Sequence, residues 1–229
     1  MTSSSPRPSR AVDDAYERLR EKIFSGELQP NERLVETDLA ERLQLSRAIV
    51  RTALVRLGQD GVVVLTPHRG ARVRVVTDAE AAEILQARAM LEALVARQAA
   101  TRATAREIAR LRRIVAGMGR LLETGDLLGY SEQNAALHAA IIEAARHETA
   151  ARLIAGLRAQ LVRFQFRTIL VAGRAVHSYA EHTAIVDAIA DREPDAAETA
   201  MRRHLGQVEA TLSRAKRRPD GAPGHGAPG

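Results

Sequence analysis

The residues best suited to recognising another molecule are arginines on one face of a short predicted helix. Arg47 and Arg51 are four positions apart, so their guanidinium groups lie one helical turn from each other, next to Ala48 and Thr52. A guanidinium group can donate two parallel hydrogen bonds to the edge of a guanine or to a phosphate. This spacing therefore predicts that the first turns of the helix contact double-stranded DNA.

Histidines offer a second kind of chemistry in the C-terminal half of the chain. Asn134 and His138 are also four positions apart, so both side chains reach one face of a helix and can bind a single ion. His182 and His204 lie in two other predicted helices. From the residues alone, these imidazoles are either metal ligands or histidines that are solvated or hydrogen-bonded in a helical core.

Two predicted helices joined by a tight turn at Gln44 and Leu45 position the arginines. Apolar residues recur at the helical period in the second helix, which begins after the expected N-cap Ser46. The first helix supplies apolar residues to the same small core. The predicted core residues are Leu39, Ala40, Leu43, Val50, Ala53, Leu54 and Leu57.

A predicted β-hairpin follows this pair of helices. The apolar run 62–65 predicts one strand, and Val73 and Val75, which alternate with arginines, predict a second. Residues of the intervening turn are expected to contact the DNA backbone or minor groove, namely His68, Arg69 and Gly70. Two helices across a tight turn with such a hairpin form a winged helix-turn-helix, whose second helix enters the major groove.

The charge distribution supports a nucleic-acid interface in this segment. The chain has a formal net charge of +6, and residues 42–76 hold seven arginines against the single acid Asp60, which also gives +6. Residues 77–213 hold 17 arginines and 17 acids and are neutral. A local basic patch displaces condensed counterions from DNA, whereas the alternative is a solvated basic face on an ordinary helical domain.

The composition excludes several other classes of site. The chain has no cysteine, which excludes disulfides, thiolate metal ligands and a cysteine nucleophile. Aromatic residues make up 3% of the chain and tryptophan is absent, which argues against base-stacking platforms for single strands. No apolar run approaches the ~20 residues of a membrane span and no apolar signal segment begins the chain, so a cytoplasmic protein with no membrane partner is expected.

The 229 residues are enough for two domains. Residues 11–76 are predicted to form the DNA-binding domain, and residues 78–213 carry helical patterns with no strand signal. The fold class is therefore mainly α, with an all-α bundle of six helices after the winged domain. Those helices are expected near 78–101, 104–123, 127–145, 148–171, 175–191 and 195–213. Residues 1–10 and 214–229 have the composition of disordered tails.

The N-terminal part also matches a known sequence pattern. The matching residues are Ile23, Gly26, Leu28, Pro30, Leu34, Leu39, Ala40, Leu43, Ser46, Arg47, Val50, Arg51, Ala53, Leu54, Leu57, Gly61, Val62, Arg69 and Gly70. On these residues it resembles the GntR family of bacterial regulators. Asn31 and Gln44 stand where that family often has glycine, and Thr52 replaces a common glutamate, which makes the operator sequence unpredictable.

The all-α part carries motifs at 88–92, 134–138, 182–189 and 203–205. On these motifs it is similar to the FCD ligand-binding domain of the FadR subgroup. The resemblance implies one divalent ion, Zn²⁺ or Ni²⁺ by ligand preference. Its expected ligands are Asn134, His138, His182 and His204. Neutral Asn134 stands where many relatives carry aspartate, so we expect weaker binding.

The resemblance further implies a small carboxylate effector near the metal. We expect Arg88 to bind it through a bidentate contact, and Arg163 and Arg167 to line the same cavity. The alternative for Arg88 is an exposed ion pair with Glu92, four positions away.

Three functions are consistent with these features. The resemblance favours a metabolite-responsive transcriptional regulator, a homodimeric repressor on near-palindromic operator DNA that a small organic acid releases. A helical metal-dependent hydrolase is an alternative because three protein ligands and an open position also describe catalytic zinc, although no general base stands in a motif beside the histidines. The third possibility is a DNA-binding protein that needs no effector.

Overall fold

The computed structural model describes residues 8–66, 70–161, 164 and 168–216. These residues form two compact units. The first contains the chain up to Thr77 and a segment that begins at Ala155 and precedes Phe164, and the second contains Asp78–Ile154 and the chain from Phe164 onward. Helices dominate the described residues, so the mainly α prediction is confirmed.

The elements follow one another along the chain with short connections. The part up to Thr77 contains α1 (Pro8–Ser25), β1 (Arg33–Leu34), α2 (Glu36–Leu43), α3 (Arg47–Gln59), β2 (Val63–Thr66) and β3 (Gly70–Val73). The part after it contains α4 (Asp78–Arg102), α5 (Ala105–Glu123), α6 (Leu127–Ala145), α7 (Glu148–Gln160), α8 (Arg174–Ala190) and α9 (Pro194–Lys216).

Helices α2 and α3 form the predicted helix-turn-helix. Gln44 adopts a left-handed conformation with φ of 56°, which turns the chain directly after α2. The side chain of Ser46 then accepts a hydrogen bond from the Ile49 N–H and begins α3, as predicted. All the predicted core residues of this motif are buried: Leu39, Ala40, Leu43, Val50, Ala53, Leu54 and Leu57.

The wing is a three-stranded antiparallel sheet in the order β1-β3-β2. Val63 pairs with Val73 at the end of the hairpin nearest the helices. The second strand was expected to continue to Val75, which is wrong: β3 ends at Val73 and Val75 is 54% exposed. The sequence analysis also missed β1, because two residues are too few to show an alternating pattern.

The second unit is a helical bundle around an aliphatic core. Thr104 begins α5 through a capping box, in which its side chain accepts from the Glu107 N–H and its own N–H donates to the Glu107 carboxylate. Helices α4, α5, α6, α8 and α9 all contribute to this core. Its fully buried large side chains include Leu111, Met118, Leu137, Ile141 and Ile185.

Several predicted boundaries differ from the structure. The helix expected over 148–171 is interrupted, since α7 ends at Gln160 and Leu161 lies in a turn. Near this end Ala159 packs against the core of the first unit, so the second predicted domain is not continuous over 78–213. Residues 8–10 and 214–216, expected in disordered tails, belong to α1 and α9. Proline is well tolerated in the first turn of a helix, which permits the earlier start at Pro8.

None of the described helices contains a stretch that is both long and apolar enough to cross a bilayer.

Candidate nucleic-acid interface and metal centre

The predicted DNA-reading residues of α3 lie together on its exposed side. Arg47, Ala48, Arg51 and Thr52 are all solvent-exposed, opposite the buried stripe that holds α3 in the core. The Thr52 hydroxyl donates to the Ala48 carbonyl oxygen, so it is engaged within the helix. The exposed face of α3 thus presents two guanidinium groups to solvent.

Arg51 is held by a carboxylate from the neighbouring helix. Its Nε and Nη2 atoms donate to the two carboxylate oxygens of Glu36 at 2.9 and 2.7 Å. These hydrogen bonds lower the pKa of Glu36 below its ordinary value, so the carboxyl group is ionised at neutral pH. The pair restrains the direction of the Arg51 guanidinium group on the recognition face. The sequence analysis missed Glu36, which lies 15 positions before Arg51.

The wing residues are only partly described. His68 and Arg69 lie outside the described residues, and Gly70 begins β3 with φ of 83°, a left-handed conformation that favours glycine. The assignment of these residues to DNA contacts stays a prediction. Two exposed arginines were missed as a pair: Arg33 of β1 lies opposite Arg72 of β3 in the sheet register.

The second candidate site joins three helices of the bundle. His138 of α6, His182 of α8 and His204 of α9 are all buried, and their candidate ligand nitrogens lie within 4.8 Å of one another. The Nε2 atoms of His138 and His182 are 3.3 Å apart. Two ligands at about 2.0–2.1 Å from a tetrahedral zinc ion have roughly this separation. The structure thus brings the three predicted imidazoles together.

Each imidazole is oriented by an oxygen at its Nδ1 atom. His138 Nδ1 lies 2.6 Å from Glu92 Oε2, and His204 Nδ1 lies 2.7 Å from Glu181 Oε2. Because an ionised carboxylate only accepts hydrogen bonds, these contacts place the proton on Nδ1 and leave the Nε2 lone pair for an ion. His182 Nδ1 lies 3.3 Å from the Ser178 hydroxyl oxygen. Carboxylates or hydroxyls behind the imidazoles are the usual support of metal-binding histidines.

The buried position of the triad favours the neutral imidazole. Burial lowers the pKa of His182 well below 6.5, and the nearby His204 and His138 lower it further. Burial also lowers the pKa of His204, although Glu181 opposes this shift. Burial would raise the pKa of Glu181, but hydrogen bonds from His204 and Arg174 outweigh that effect and lower it. Neutral imidazoles with a charged carboxylate behind them are the protonation states that bind a dication.

Asn134 completes the predicted set of ligands. Its Oδ1 atom is buried and has no hydrogen-bond partner among the described residues. An amide oxygen left without a partner in the interior is costly unless an ion, water or ligand reaches it. Three convergent imidazoles and this oxygen fit a divalent cation of the zinc or nickel type, so the donor set passes a chemical test for the implied metal.

The arginines predicted to bind an effector have different positions. Arg88 does form the pair with Glu92, but the pair is buried rather than exposed: Arg88 Nε and Nη2 donate to Glu92 Oε1 at 2.8 and 2.7 Å. Glu92 also supports His138, so Arg88 acts behind the triad. Arg163 and Arg167 lie outside the described residues, and their predicted role stays a prediction.

Two further polar residues beside the triad were missed. Arg174 of α8 is buried, and its Nη2 atom donates to the same Glu181 oxygen that His204 contacts. Tyr130 of α6 is fully buried, and burial raises its pKa to about 12. Both positions carry a weak sequence signal, because Tyr130, Asn134 and His138 are spaced by four, as are Arg174, Ser178 and His182.

Comparisons with known proteins agree with both sites. The FCD domain model matches residues 83–207, and the model of bacterial regulatory proteins of the gntR family matches residues 11–73. The HTH-type transcriptional repressor RspR of Escherichia coli K12 is 25% identical over 206 residues, 90% of each chain. The Nta operon transcriptional regulator of Aminobacter aminovorans is 30% identical over 169 residues, 73% of this chain and 78% of the relative.

Solved structures show the same fold. E. coli McbR/YncC superposes with a TM-score of 0.76 at 20% identity, covering 94% of this chain and 100% of that one. A GntR-type regulator from Rhodococcus sp. RHA1 gives a TM-score of 0.71 at 22% identity, covering 90% and 99%. The family and the named relatives are transcriptional regulators rather than enzymes, which removes the metal-dependent hydrolase. The chain belongs to the GntR family of bacterial regulatory proteins, among those with a C-terminal FCD domain.

Proposed function

We propose that this regulator is a repressor that binds operator DNA as a homodimer and is released by a small carboxylate bound beside a divalent ion. Operator binding would place it in the cytoplasm, where bacterial DNA lies. The repressor assignment draws support from RspR, which is named a repressor. The FCD match supports the effector-binding role.

DNA binding is assigned to the exposed face of α3 and to the wing. Arg47 and Arg51 project from α3 where a winged helix-turn-helix meets the major groove. Ala48 and Thr52 lie between them on the same face, and His68, Arg69 and Gly70 are assigned to the wing contact. Arg33 and Arg72 add two exposed cations that suit phosphate contacts.

The metal assignment depends on one observation above all, the convergence of three buried imidazoles whose Nδ1 atoms already have partners. His138, His182 and His204 would hold the ion, with Asn134 Oδ1 as a fourth ligand. A bound dication would offer coordination positions to the oxygens of a carboxylate. Zn²⁺ or Ni²⁺ suits this donor set better than Mn²⁺ or Fe²⁺.

The effector would act by changing the spacing of the two winged domains in the dimer. A dimer reads two half-sites only when that spacing fits the duplex. An effector that prefers the DNA-incompetent spacing by about 1–3 kcal/mol weakens operator affinity roughly 5- to 150-fold.

Metal analysis together with operator titration tests this proposal. Purified wild-type protein should retain about one zinc or nickel per chain, and the His182→Ala, His204→Ala double variant should lose it. His177→Ala is the matched control because His177 is exposed on the same helix as His182 and contacts only the Gly173 carbonyl oxygen among the contacts described. Equal metal in wild type and the double variant would dismiss the site.

The response to effector is measured separately. Small organic acids are screened by thermal shift, and each acid that stabilises the protein is titrated into the complex with operator DNA. We expect such an acid to release the wild type from DNA and to leave the His138→Ala variant bound. A tight-binding acid that leaves operator affinity unchanged would refute the coupling between effector and DNA.

A further inference from the structure

We infer that Arg174 and Tyr130 form an anion-binding subsite next to the histidine triad and that this subsite receives a carboxylate group of the effector. The inference deepens the proposed function and rests on its assumption that the FCD domain binds an effector. It assigns the carboxylate contact to α8 and α6, rather than to Arg88 of α4.

Arg174 has an unused hydrogen-bond donor in the interior. Its side chain is 8% exposed, and its Nη2 atom donates to Glu181 Oε2 at 2.8 Å. Its Nη1 atom is buried and has no hydrogen-bond partner among the described residues. A buried guanidinium N–H without an acceptor is costly, so an acceptor from outside the protein would relieve that cost. By contrast, Arg88 directs its Nε and Nη2 atoms to Glu92.

Tyr130 supplies a second unused donor at the same place. Its hydroxyl oxygen is buried and also lacks a hydrogen-bond partner among the described residues. The Ser178 hydroxyl and the Arg174 charge both lower the Tyr130 pKa against the effect of burial, so these groups lie close to the phenol. Ser178 in turn contacts His182. The two open donors are therefore adjacent to each other and to the triad.

The charges around the triad call for an anion once a metal is bound. Arg88 is balanced by Glu92 and Arg174 by Glu181, while burial keeps His182 neutral. Asn134 adds no charge, so a dication would leave the described part of the site with two excess positive charges. Buried charge is tolerated when it is paired, and an anionic ligand would supply the partner.

The type of donor identifies the class of ligand. Arginine N–H and phenol O–H groups that both point to one place suit a group that only accepts hydrogen bonds. A carboxylate is such a group, and its planar pair of oxygens matches the guanidinium fork. An amide or an ammonium group would bring donors against donors.

The test compares acid binding and zinc content in the same proteins. Zinc-loaded wild type is titrated by calorimetry with sodium acetate, glycolate, malonate and succinate, and with inorganic phosphate, at constant ionic strength. We expect at least one carboxylate to bind more tightly than phosphate. Arg174→Gln should weaken that acid about 10- to 100-fold and Tyr130→Phe about 2- to 10-fold, with zinc content unchanged. Arg113→Gln, which removes an exposed guanidinium group of α5, should bind like wild type.

Each result decides the inference. Failure of every carboxylate to bind wild type, tighter binding of phosphate, or wild-type affinity in Arg174→Gln would overturn it. Should Arg174→Gln fail to fold because Glu181 loses its partner, Tyr130→Phe decides, since it removes one oxygen and keeps the ring; unchanged affinity there also overturns the inference. Acid binding that depends on Arg174 in a protein without zinc would support the subsite and refute the metal site. Zinc without acid binding would do the reverse.

Discussion

Arg51 and Glu36 form a two-pronged ion pair that links the recognition helix α3 to helix α2. The Nη2 atom of Arg51 lies 2.7 Å from Glu36 Oε2, and its Nε atom lies 2.9 Å from Oε1. The pair is largely exposed, with 62% of the Arg51 side chain accessible to solvent, so its contribution to folding stability is small. Its value lies in orientation, because it restrains a long side chain before DNA arrives.

Replacing Arg51 should reduce sequence discrimination. If the guanidinium group makes a bidentate contact to a base, Arg51→Ala loses about 1–3 kcal/mol of preference for operator over unrelated DNA. Fluorescence anisotropy at fixed salt measures both affinities. Arg56→Ala serves as the comparison, since Arg56 pairs with Asp13 and lies over the Tyr16 ring, so its loss should affect folding more than base preference. An Arg51→Ala variant with full operator preference would remove Arg51 from base recognition.

Replacing Glu36 should have the opposite effect on affinity. Glu36→Gln removes a negative charge close to the expected phosphates and frees Arg51 to reach a phosphate in several orientations. We expect about 2- to 10-fold tighter binding to unrelated DNA and a smaller ratio of operator to unrelated affinity, with a steeper salt dependence. Glu41→Gln, an exposed acid on the same helix, controls for net charge alone. If both variants tighten binding equally, the ion pair plays no part in specificity.

The elements of this interface were predictable from sequence to different degrees. Apolar spacing in α3 and the N-cap at Ser46 are local signals, and the structure matches both. The Arg51–Glu36 pair depends on how two helices cross, and nothing in the spacing of single residues encodes that angle. For the same reason the histidines were found through family motifs, whereas Glu181 and Arg174, which support the triad from α8, were not.

Acid should destabilise the metal-free protein before the carboxylates titrate. The folded pKa values of His182 and His204 are lowered, so the unfolded chain binds more protons than the folded chain below about pH 6.5, the ordinary histidine value. Stability therefore falls as pH drops from 6.5, by up to about 1.4 kcal/mol per pH unit for each histidine. The lowered pKa of Glu181 adds a further loss once pH falls below its ordinary value of 4.5.

Urea unfolding between pH 7.5 and 5 measures this dependence. The His182→Ala variant should show a shallower loss of stability with acid, because one group with a lowered pKa is gone. His177→Ala should keep the wild-type slope, since His177 is exposed. With zinc bound the loss should begin at a similar pH and be steeper, because protons and metal compete for the same nitrogens. A stability that is flat from pH 7.5 to 5 in metal-free wild type would contradict the buried, neutral state of these imidazoles.

Gln44 is the position at which a single substitution should stabilise the winged domain. It has φ of 56° at the C-terminal end of α2, where its N–H donates to the Glu41 carbonyl oxygen and the Leu45 N–H donates to the Ala40 carbonyl oxygen. Glycine adopts this conformation without the strain of a Cβ atom, so Gln44→Gly should stabilise the domain by about 0.5–1 kcal/mol. Gln44→Val should destabilise it, because a β-branched residue resists a positive φ. Asn31→Gly is the matched control: Asn31 also has a positive φ, of 64°, but asparagine tolerates it, so a smaller gain is expected. Urea midpoints of the three variants rank these effects, and a Gln44→Gly variant less stable than Asn31→Gly would show that the glutamine side chain stabilises the turn in a way that its backbone conformation does not reveal.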